Sequence, residues 1–480
     1  MQRKFILNLA FVLVLNLLVK PFYILGIDAE VLKQVGEEAY GNYFALISLS
    51  FLLNIFLDAG ITNFNTRNIA QHRQLLHKHF SNIIAVRALL AVGYLVLIAL
   101  AGWLLGYSKD QMWILWVLGF NQVLVAFVLY FRSNLAGLHR FVQDSIVSVL
   151  DRLLLIGVCG ALLWGGWVNR PFEIEWFVYS QTAAYGFTAL FAAILVLRES
   201  GSVRLQWNVP FTYMILKQSA PYALLVLLMT IYYRSDSVML ERMLPDGAYH
   251  AGVYAQGFRF FEASNMIAYL FAVLLLPIFS KMIGDKQMID DLLRLSFKTL
   301  MSGALILAVG CVFHAEALLE LRYVQIGEQA AASFAVLMAC FVAVCGTYIF
   351  GTLLTANGSV RWLNYLAAAG MVLNIILNLW MIPHYQALGS AAASLITQLL
   401  TALAQMYLAL RVFGLKPDLK LARNFILFAA GVIGLGWLSS ELTFHVLYNL
   451  FIMAAFSLLW AAITGMLSFR QLAAIIRQKM

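Results

Sequence analysis

Charged side chains are scarce in this chain. Asp, Glu, Lys and Arg make up 11% of its 480 residues, against 62% hydrophobic, and its mean hydropathy is +0.84. A globular protein in water carries about 25% charged residues, so this sequence lacks the groups to cover a water-facing surface. No polar block large enough to fold alone interrupts the apolar stretches between Phe5 and Leu467, which excludes a string of soluble domains. Cysteine is equally sparse: Cys159, Cys311, Cys340 and Cys345 all lie in apolar stretches, with only the last two close together. That excludes a disulfide framework and a zinc site of ordinary spacing. There is no GxxxxGK[ST] loop to cradle a nucleotide phosphate. The net charge of +9 comes without basic patches interleaved with aromatics, so nucleic acid is not an expected partner. No small-x-small cleavage site follows Arg3 and Lys4 before Lys20-Pro21, so the first apolar run is expected to stay as a helix.

What is present is a series of long apolar runs. A helix needs about 20 residues to cross roughly 30 Å of hydrocarbon. Fourteen such spans are expected, at 5–27, 39–62, 80–105, 111–133, 144–166, 173–197, 211–233, 250–280, 295–314, 330–354, 362–382, 386–410, 422–439 and 444–467. They are continuous and rich in Leu, Ala and Ile, unlike the alternating ten-residue strands of a barrel. With the N-terminus placed in the cytoplasm, 22 Lys and Arg fall in inside loops and 6 outside, whereas acids divide 6 inside and 14 outside. That asymmetry is what cytoplasmic retention of cations produces. Both termini are therefore expected in the cytoplasm of an all-α, multi-pass membrane protein, with short loops throughout.

The chain also repeats itself. Glu37-Glu38-Ala39-Tyr40-Gly41-Asn42-Tyr43 follows the first span, and Asp246-Gly247-Ala248-Tyr249-His250-Ala251-Gly252-Val253-Tyr254 follows the seventh. Both end in Gly-x-Tyr at the mouth of a helix, and the preceding spans each hold a proline, Pro21 and Pro221. Six helices per half keep the same orientation, related by an axis along the membrane normal. The expected organisation is a six-helix bundle over 1–205, a second over 206–412, a cleft between them, and two additional helices with a cytoplasmic tail over 413–480.

Several stretches carry a family resemblance. They are Val35-Gly36-Glu37-Glu38-Ala39-Tyr40-Gly41-Asn42-Tyr43, Leu57-Asp58-Ala59-Gly60-Ile61, Arg67-Asn68-Ile69-Ala70, Arg234-Ser235-Asp236 with Ala251-Gly252-Val253-Tyr254, Asn374-Ile375-Ile376-Leu377-Asn378, Ile382-Pro383 and Gly389-Ser390-Ala391-Ala392. In order and spacing the chain resembles the Wzx-type polysaccharide-repeat flippases, the O-antigen and capsule oligosaccharide exporters of the multidrug/oligosaccharidyl-lipid/polysaccharide superfamily. It departs from them at Gln386-Ala387-Leu388, where a second glycine is usual. The resemblance implies translocation of an undecaprenyl-pyrophosphate-linked oligosaccharide from the cytoplasmic to the outer leaflet of a bacterial inner membrane by alternating access. It implies no covalent chemistry, cofactor or metal; a polysaccharide polymerase of the same pathway is a possible partner.

A pyrophosphate head cannot enter hydrocarbon unaccompanied, and charges within spans are functional candidates by default. Lys20, Arg87, Arg152 and Arg259 are the cations within spans and the candidates for the pyrophosphate. Lys20 beside Pro21 either lines the cavity or snorkels to the interface. Arg152 and Arg87 face the same choice. Arg259 and Glu262 share one helix face, as a cavity pair or a structural one. Asp58, with Arg67 or Arg87 as partner, suits a structural or gating role. Asp58, Asp151 and Glu262 are taken as the only acids in spans, so they are the candidates for ion coupling, with structural pairing as the competing reading. His72, His77 and His79 share an inside loop with Arg73 and Lys78, placed for anionic lipid heads rather than a metal. A multidrug or other lipid exporter of the same superfamily is the alternative; organic cations would call for acids in the spans. A membrane polymerase or ligase would need a sizeable outer loop, which is missing.

Overall fold

The computed structural model describes residues 15–58, 60–62, 75–138, 140–166, 170–200, 209–324, 326–327 and 329–467, and every regular element among them is helical. Helix α1 (15–22) passes through a π-helical segment, Tyr23–Asp28, into α2 (Ala29–Leu52) and then α3 (Ile55–Asp58). There follow α4 (Leu75–Leu104), α5 (Lys109–Gly137), α6 (Phe141–Trp164), α7 (Ile174–Ser200), α8 (Val209–Met243) and α9 (Gly247–Gly284). The remainder are α10 (Asp290–Phe313), α11 (Ala315–Glu320), α12 (Ala330–Ala356), α13 (Val360–Phe413), α14 (Leu419–Ser440) and α15 (Val446–Ile463). Twelve of the described helical stretches are long and apolar enough to cross a membrane. Large apolar side chains such as Leu89, Trp103, Leu190, Tyr407 and Phe451 stand exposed around them, as a lipid-facing surface requires and a water-facing one does not.

Two of the stretches are longer than one crossing needs: Leu15–Asp58, of 44 residues, and α13, of 54. The first is broken within the loop expected over 28–38, and the second at 386, the first residue of the twelfth expected span. The first break is Gly36, at φ 82° and ψ 168°, a conformation that only glycine adopts without strain. The Tyr40 hydroxyl donates to Asp28 Oδ1 at 2.6 Å, although residues twelve apart in a straight helix are separated by about 18 Å. The chain therefore doubles back at Gly36. The second break is Gln386, at φ 51° and ψ −129°, three residues after Pro383. Gly370 then lies against Thr397 and Thr401, so the two halves of α13 pack side by side. The residue that departs from the family pattern thus occupies a position that favours glycine. Gln329, itself left-handed at φ 72°, donates from Nε2 to Gln386 Oε1 at 3.2 Å and helps to hold it.

Packing divides the chain into two compact units, Met1–Ala255 and Gln256–Met480. In the first, Phe80, Val86, Tyr130, Leu135, Val147 and Ala192 join α4, α5, α6 and α7 in one core. The paired Gly-x-Tyr motifs meet within this unit. A Cβ on Gly41 would overlap the Ala248 carbonyl oxygen, and one on Gly252 would overlap the Glu37 carbonyl, so both positions need glycine for the backbones to approach this closely. In the second unit α12 packs on α13 and on α10, while Phe428, Val432, Met453 and Val309 seat α14 and α15 against α10. Arg294 fixes the entry to α14 by pairing with Asp418 at 2.6 Å. The Asp418 carboxylate also accepts from the Leu421 N–H at 2.9 Å, and these partners hold its pKa below the usual carboxylate value.

Besides Asp58, Asp151 and Glu262, helices hold buried acids. Asp28 (3% exposed) and Glu30 are buried in the first helical stretch, and Asp236 (2% exposed) is buried in α8. Hydropathy ended the seventh span at 233, yet α8 runs on to Met243. The reason is pairing: Tyr254 donates to Asp236 at 2.8 Å, and Arg242 pairs with Glu241 at 2.7 Å. Polar groups satisfied inside the protein do not terminate a helix.

Candidate functional site

Pro21 denies α1 one backbone hydrogen bond, and the chain responds immediately with the π-helical segment Tyr23–Asp28, a local widening that is frequent at functional sites. The consequence is where the side chains go. Tyr23, buried, lies against Arg152 of α6, whose guanidinium carbon sits 4.7 Å from the Tyr23 ring centroid. On another side the same guanidinium lies 5.6 Å from the ring of Tyr185, on α7. Arg152 Nη1 donates to the Tyr185 hydroxyl at 2.8 Å.

Arg152 is the twelfth residue of the 24-residue α6. It is therefore near the middle of that helix. Its side chain keeps 27% of its surface exposed, with Asp151 at 3.8 Å from Nε. Lys20 lies within electrostatic reach of Arg152, Arg132 and Asp151. Its ammonium has no ion-pair or hydrogen-bond partner among the described residues. Arg132 of α5 binds Asp144 through two nitrogens, at 2.7 and 3.4 Å. Three cations (Lys20, Arg132 and Arg152) thus gather with two carboxylates (Asp144 and Asp151), leaving an excess of positive charge. An excess of positive charge of this kind attracts anions and repels cations.

Arg87 belongs elsewhere. Its side chain is 1% exposed and pairs with Asp58. Nη2 also donates to Thr62 Oγ1 at 2.7 Å and Nη1 to the Ala126 carbonyl at 3.0 Å, with Tyr130 under the guanidinium at 4.9 Å. Asp58 accepts in turn from the Thr62 hydroxyl and N–H. Both nitrogens that could fork onto a ligand are used by protein, and the pair locks α3 to α4. Of the two partners expected for Asp58, Arg87 is the one observed; Arg67 lies outside the described residues, as does the loop holding His72 and Arg73. The side chains of His77, Lys78 and His79 are likewise outside them. In the second unit Arg259 is buried and bonds Glu262 at 2.7 Å across one turn of α9, as the three-residue spacing anticipated.

The partners of Arg152 were not legible from hydropathy. Tyr23 and Tyr185 are ordinary members of a crowd of 21 tyrosines, and only the fold brings them together. The same holds for the cluster at the α8 end, where Tyr107 stacks on Arg242 at 3.8 Å. There Gln111 Nε2 donates to Asn42 at 3.0 Å and lies 3.4 Å from Glu241 Oε1. Burial pushes the Tyr107 phenol pKa up, with Glu241 adding to the effect.

A family model described as polysaccharide biosynthesis protein matches residues 31–283, more than half of the chain. The chain belongs to the polysaccharide biosynthesis protein family. The matched region of this family member holds α2 to α9, including Arg152, Tyr185, the Arg87 lock and both Gly-x-Tyr motifs. An uncharacterised membrane protein of Methanocaldococcus jannaschii is 21% identical over 393 residues, covering 79% of this chain and 91% of its own. Among solved structures, the lipid II flippase MurJ in an inward closed conformation superposes with a TM-score of 0.70 at 16% identity, over 98% of this chain and 99% of that one. An inward-facing multidrug-resistance transporter of the MATE family reaches 0.60 at 13% identity, over 82% and 94%. The family member thus has the fold of the multidrug/oligosaccharidyl-lipid/polysaccharide superfamily and is a multi-pass membrane protein.

Proposed function

We propose that this protein flips undecaprenyl-pyrophosphate-linked oligosaccharide repeat units across a bacterial cytoplasmic membrane by alternating access, supplying surface polysaccharide synthesis. The observation that supports the reading is the cluster of Lys20, Arg152 and Arg132, with Lys20 unpaired among the described residues and the Arg152 side chain 27% exposed. A pyrophosphate diester carries about two negative charges, and at roughly 5 Å with an effective dielectric near 20 each cation contributes about 3 kcal/mol before desolvation. Two such contacts bind the head without trapping it. Membership of the polysaccharide biosynthesis family favours this cargo over the organic cations that a multidrug exporter would carry, and the excess of cations repels the latter.

Within this reading the interrupted stretches at Gly36 and Gln386 are each two crossings. That makes fourteen passes with both termini cytoplasmic, and a duplicated organisation of 1–205, 206–412 and 413–480. Arg259 with Glu262 forms the counterpart charge pair of the second half. Asp151 tunes Arg152, and Asp58 serves the Arg87 lock. Both η nitrogens of Arg87 are engaged by protein, and it is left out of the binding set.

The test is deletion of the gene in its host, followed by measurement of surface polymer and of lipid-linked repeat units on the cytoplasmic leaflet. Loss of polymer with trapped repeat units, restored by the intact chain but not by Lys20→Ala/Arg152→Ala at equal membrane abundance, is the expected result. Normal polymer with new sensitivity to cationic dyes would overturn it in favour of drug export.

A further inference from the structure

Arg152 is held on several sides although its side chain is 27% exposed. Rings from two different elements lie near it, Tyr23 of the π-helical segment at 4.7 Å and Tyr185 of α7 at 5.6 Å. Its Nη1 is anchored on the Tyr185 hydroxyl at 2.8 Å. Asp151, its chain neighbour, stands 3.8 Å from Nε, beyond hydrogen-bond range, and accepts instead from the Arg152 backbone N–H at 2.8 Å. Nη2 is left without an acceptor among the described residues.

From this arrangement we infer that Tyr23 and Tyr185 are positioning residues for the pyrophosphate-binding Arg152, and that Tyr185 also presents its hydroxyl to the same anion. The inference rests on the function proposed above. A guanidinium binds oxyanions through its edge, in a planar fork. Aromatic rings hold it by cation–π attraction, which strengthens as water is excluded, and they compete for none of its edge donors. The two tyrosines therefore fix the direction of the Nη2 edge before the anion arrives, removing side-chain freedom that a lone arginine would lose on binding. A tyrosine hydroxyl that accepts a bond from arginine keeps its own proton to donate. Tyr185 can spend that proton on a phosphate oxygen held beside Nη1. Lys20, unpaired among the described residues and electrostatically coupled to Arg152, supplies charge to the same anion without directional demand.

The experiment measures binding of farnesyl pyrophosphate and of inorganic pyrophosphate to the purified full-length chain in lipid nanodiscs. The variants are Arg152→Ala, Tyr185→Phe, Tyr185→Ala, Tyr23→Leu and the double variant Tyr185→Phe/Arg152→Ala, with thermal midpoints recorded alongside. Tyr185→Phe keeps the ring and its packing and is expected to weaken both ligands about fivefold at an unchanged midpoint. Tyr185→Ala and Tyr23→Leu are expected to weaken them tenfold or more. In the Arg152→Ala background, Tyr185→Phe is expected to cost less than twofold, because only the anion held on Arg152 Nη1 lies beside the Tyr185 hydroxyl, so both roles of Tyr185 act through Arg152. A structural role alone would give the same loss in both backgrounds, and that outcome overturns the inference, as does wild-type binding by Tyr185→Phe. A loss confined to farnesyl pyrophosphate would place Tyr185 on the lipid tail and also overturn it. Failure of the wild-type chain to bind either pyrophosphate would instead remove the anion site itself, and with it the function proposed above.

Discussion

At the scale of single residues, the charges inside helices separate into those that protein partners exhaust and those that they leave open. Arg87 and Asp58 are of the first kind, and removing one partner leaves a charge that burial makes costly. Asp58→Ala is expected to destabilise the fold by about 3 kcal/mol, seen as a large fall in thermal midpoint. Adding Arg87→Met should recover most of it, because no buried charge then remains; a single variant with a wild-type midpoint would sink the assignment. His314 offers a second test. It is buried at the end of α10 with Nε2 2.9 Å from Ser439 Oγ, and that hydroxyl donates to the Gly436 carbonyl at 2.7 Å. Nε2 must therefore carry the proton in this contact. Burial holds the His314 pKa below its ordinary value, so the unfolded chain binds the extra proton first as pH falls. The stability contribution is complete above about pH 6.5 and declines below it. Thermal midpoints measured from pH 7.5 to 5 should fall for the wild type and fall less for His314→Gln. At this scale the sequence supplied the candidates but not their sorting. Arg87 and Arg152 are both lone arginines in apolar runs, and only the position of Thr62, Ala126 and Asp58 around one, and of two tyrosines around the other, tells lock from open site.

At the scale of elements, hydropathy found the helices well and their ends poorly. The span expected at 80–105 begins at Leu75, and the one ending at 233 continues as α8 to Met243. Both extensions carry polar or charged residues, which a hydropathy window counts against a helix even when packing satisfies them. The two breaks were better marked. Gly36 stands where a glycine must, whereas Gln386 holds the same kind of turn with the wrong residue type. Positive φ at this ψ costs a non-glycine residue about 1–3 kcal/mol, of which the bond from Gln329 returns part. Gln386→Gly is accordingly expected to raise the stability of the protein by about 1 kcal/mol, measured as a higher thermal midpoint. A lower midpoint would mean that the Gln329 contact outweighs the strain. The π-helical segment after Pro21 had a weaker mark. A proline announces a missing hydrogen bond but not how the chain repairs it, and here the repair turns Tyr23 onto Arg152.

At the scale of the whole molecule, the chain's four cysteines are all buried, so single introduced cysteines report topology cleanly. Fourteen crossings with cytoplasmic termini predict that Lys109→Cys reacts with an impermeant maleimide from outside intact cells. Lys286→Cys should react only after the membrane is opened. The reverse pattern would invert the topology, and reaction of both from outside would break the count between α5 and α9. The class of fold, the membrane setting and the family were all determined by the sequence itself. Each depends on quantities that add up along the chain: apolar length against bilayer thickness, the distribution of Lys and Arg over loops, and the order of short motifs. The identity of the open cations, the partners of the buried acids Asp28 and Asp236, and the facing of Gly41 on Gly252 were decided only by tertiary structure. Those depend on which residues meet in space, whether 12 positions apart, as Asp28 and Tyr40 are, or 132, as Asn16 and Ser148 are. Local pattern carries no record of such distances, because burial and pairing set the cost of a charge only after the helices have packed.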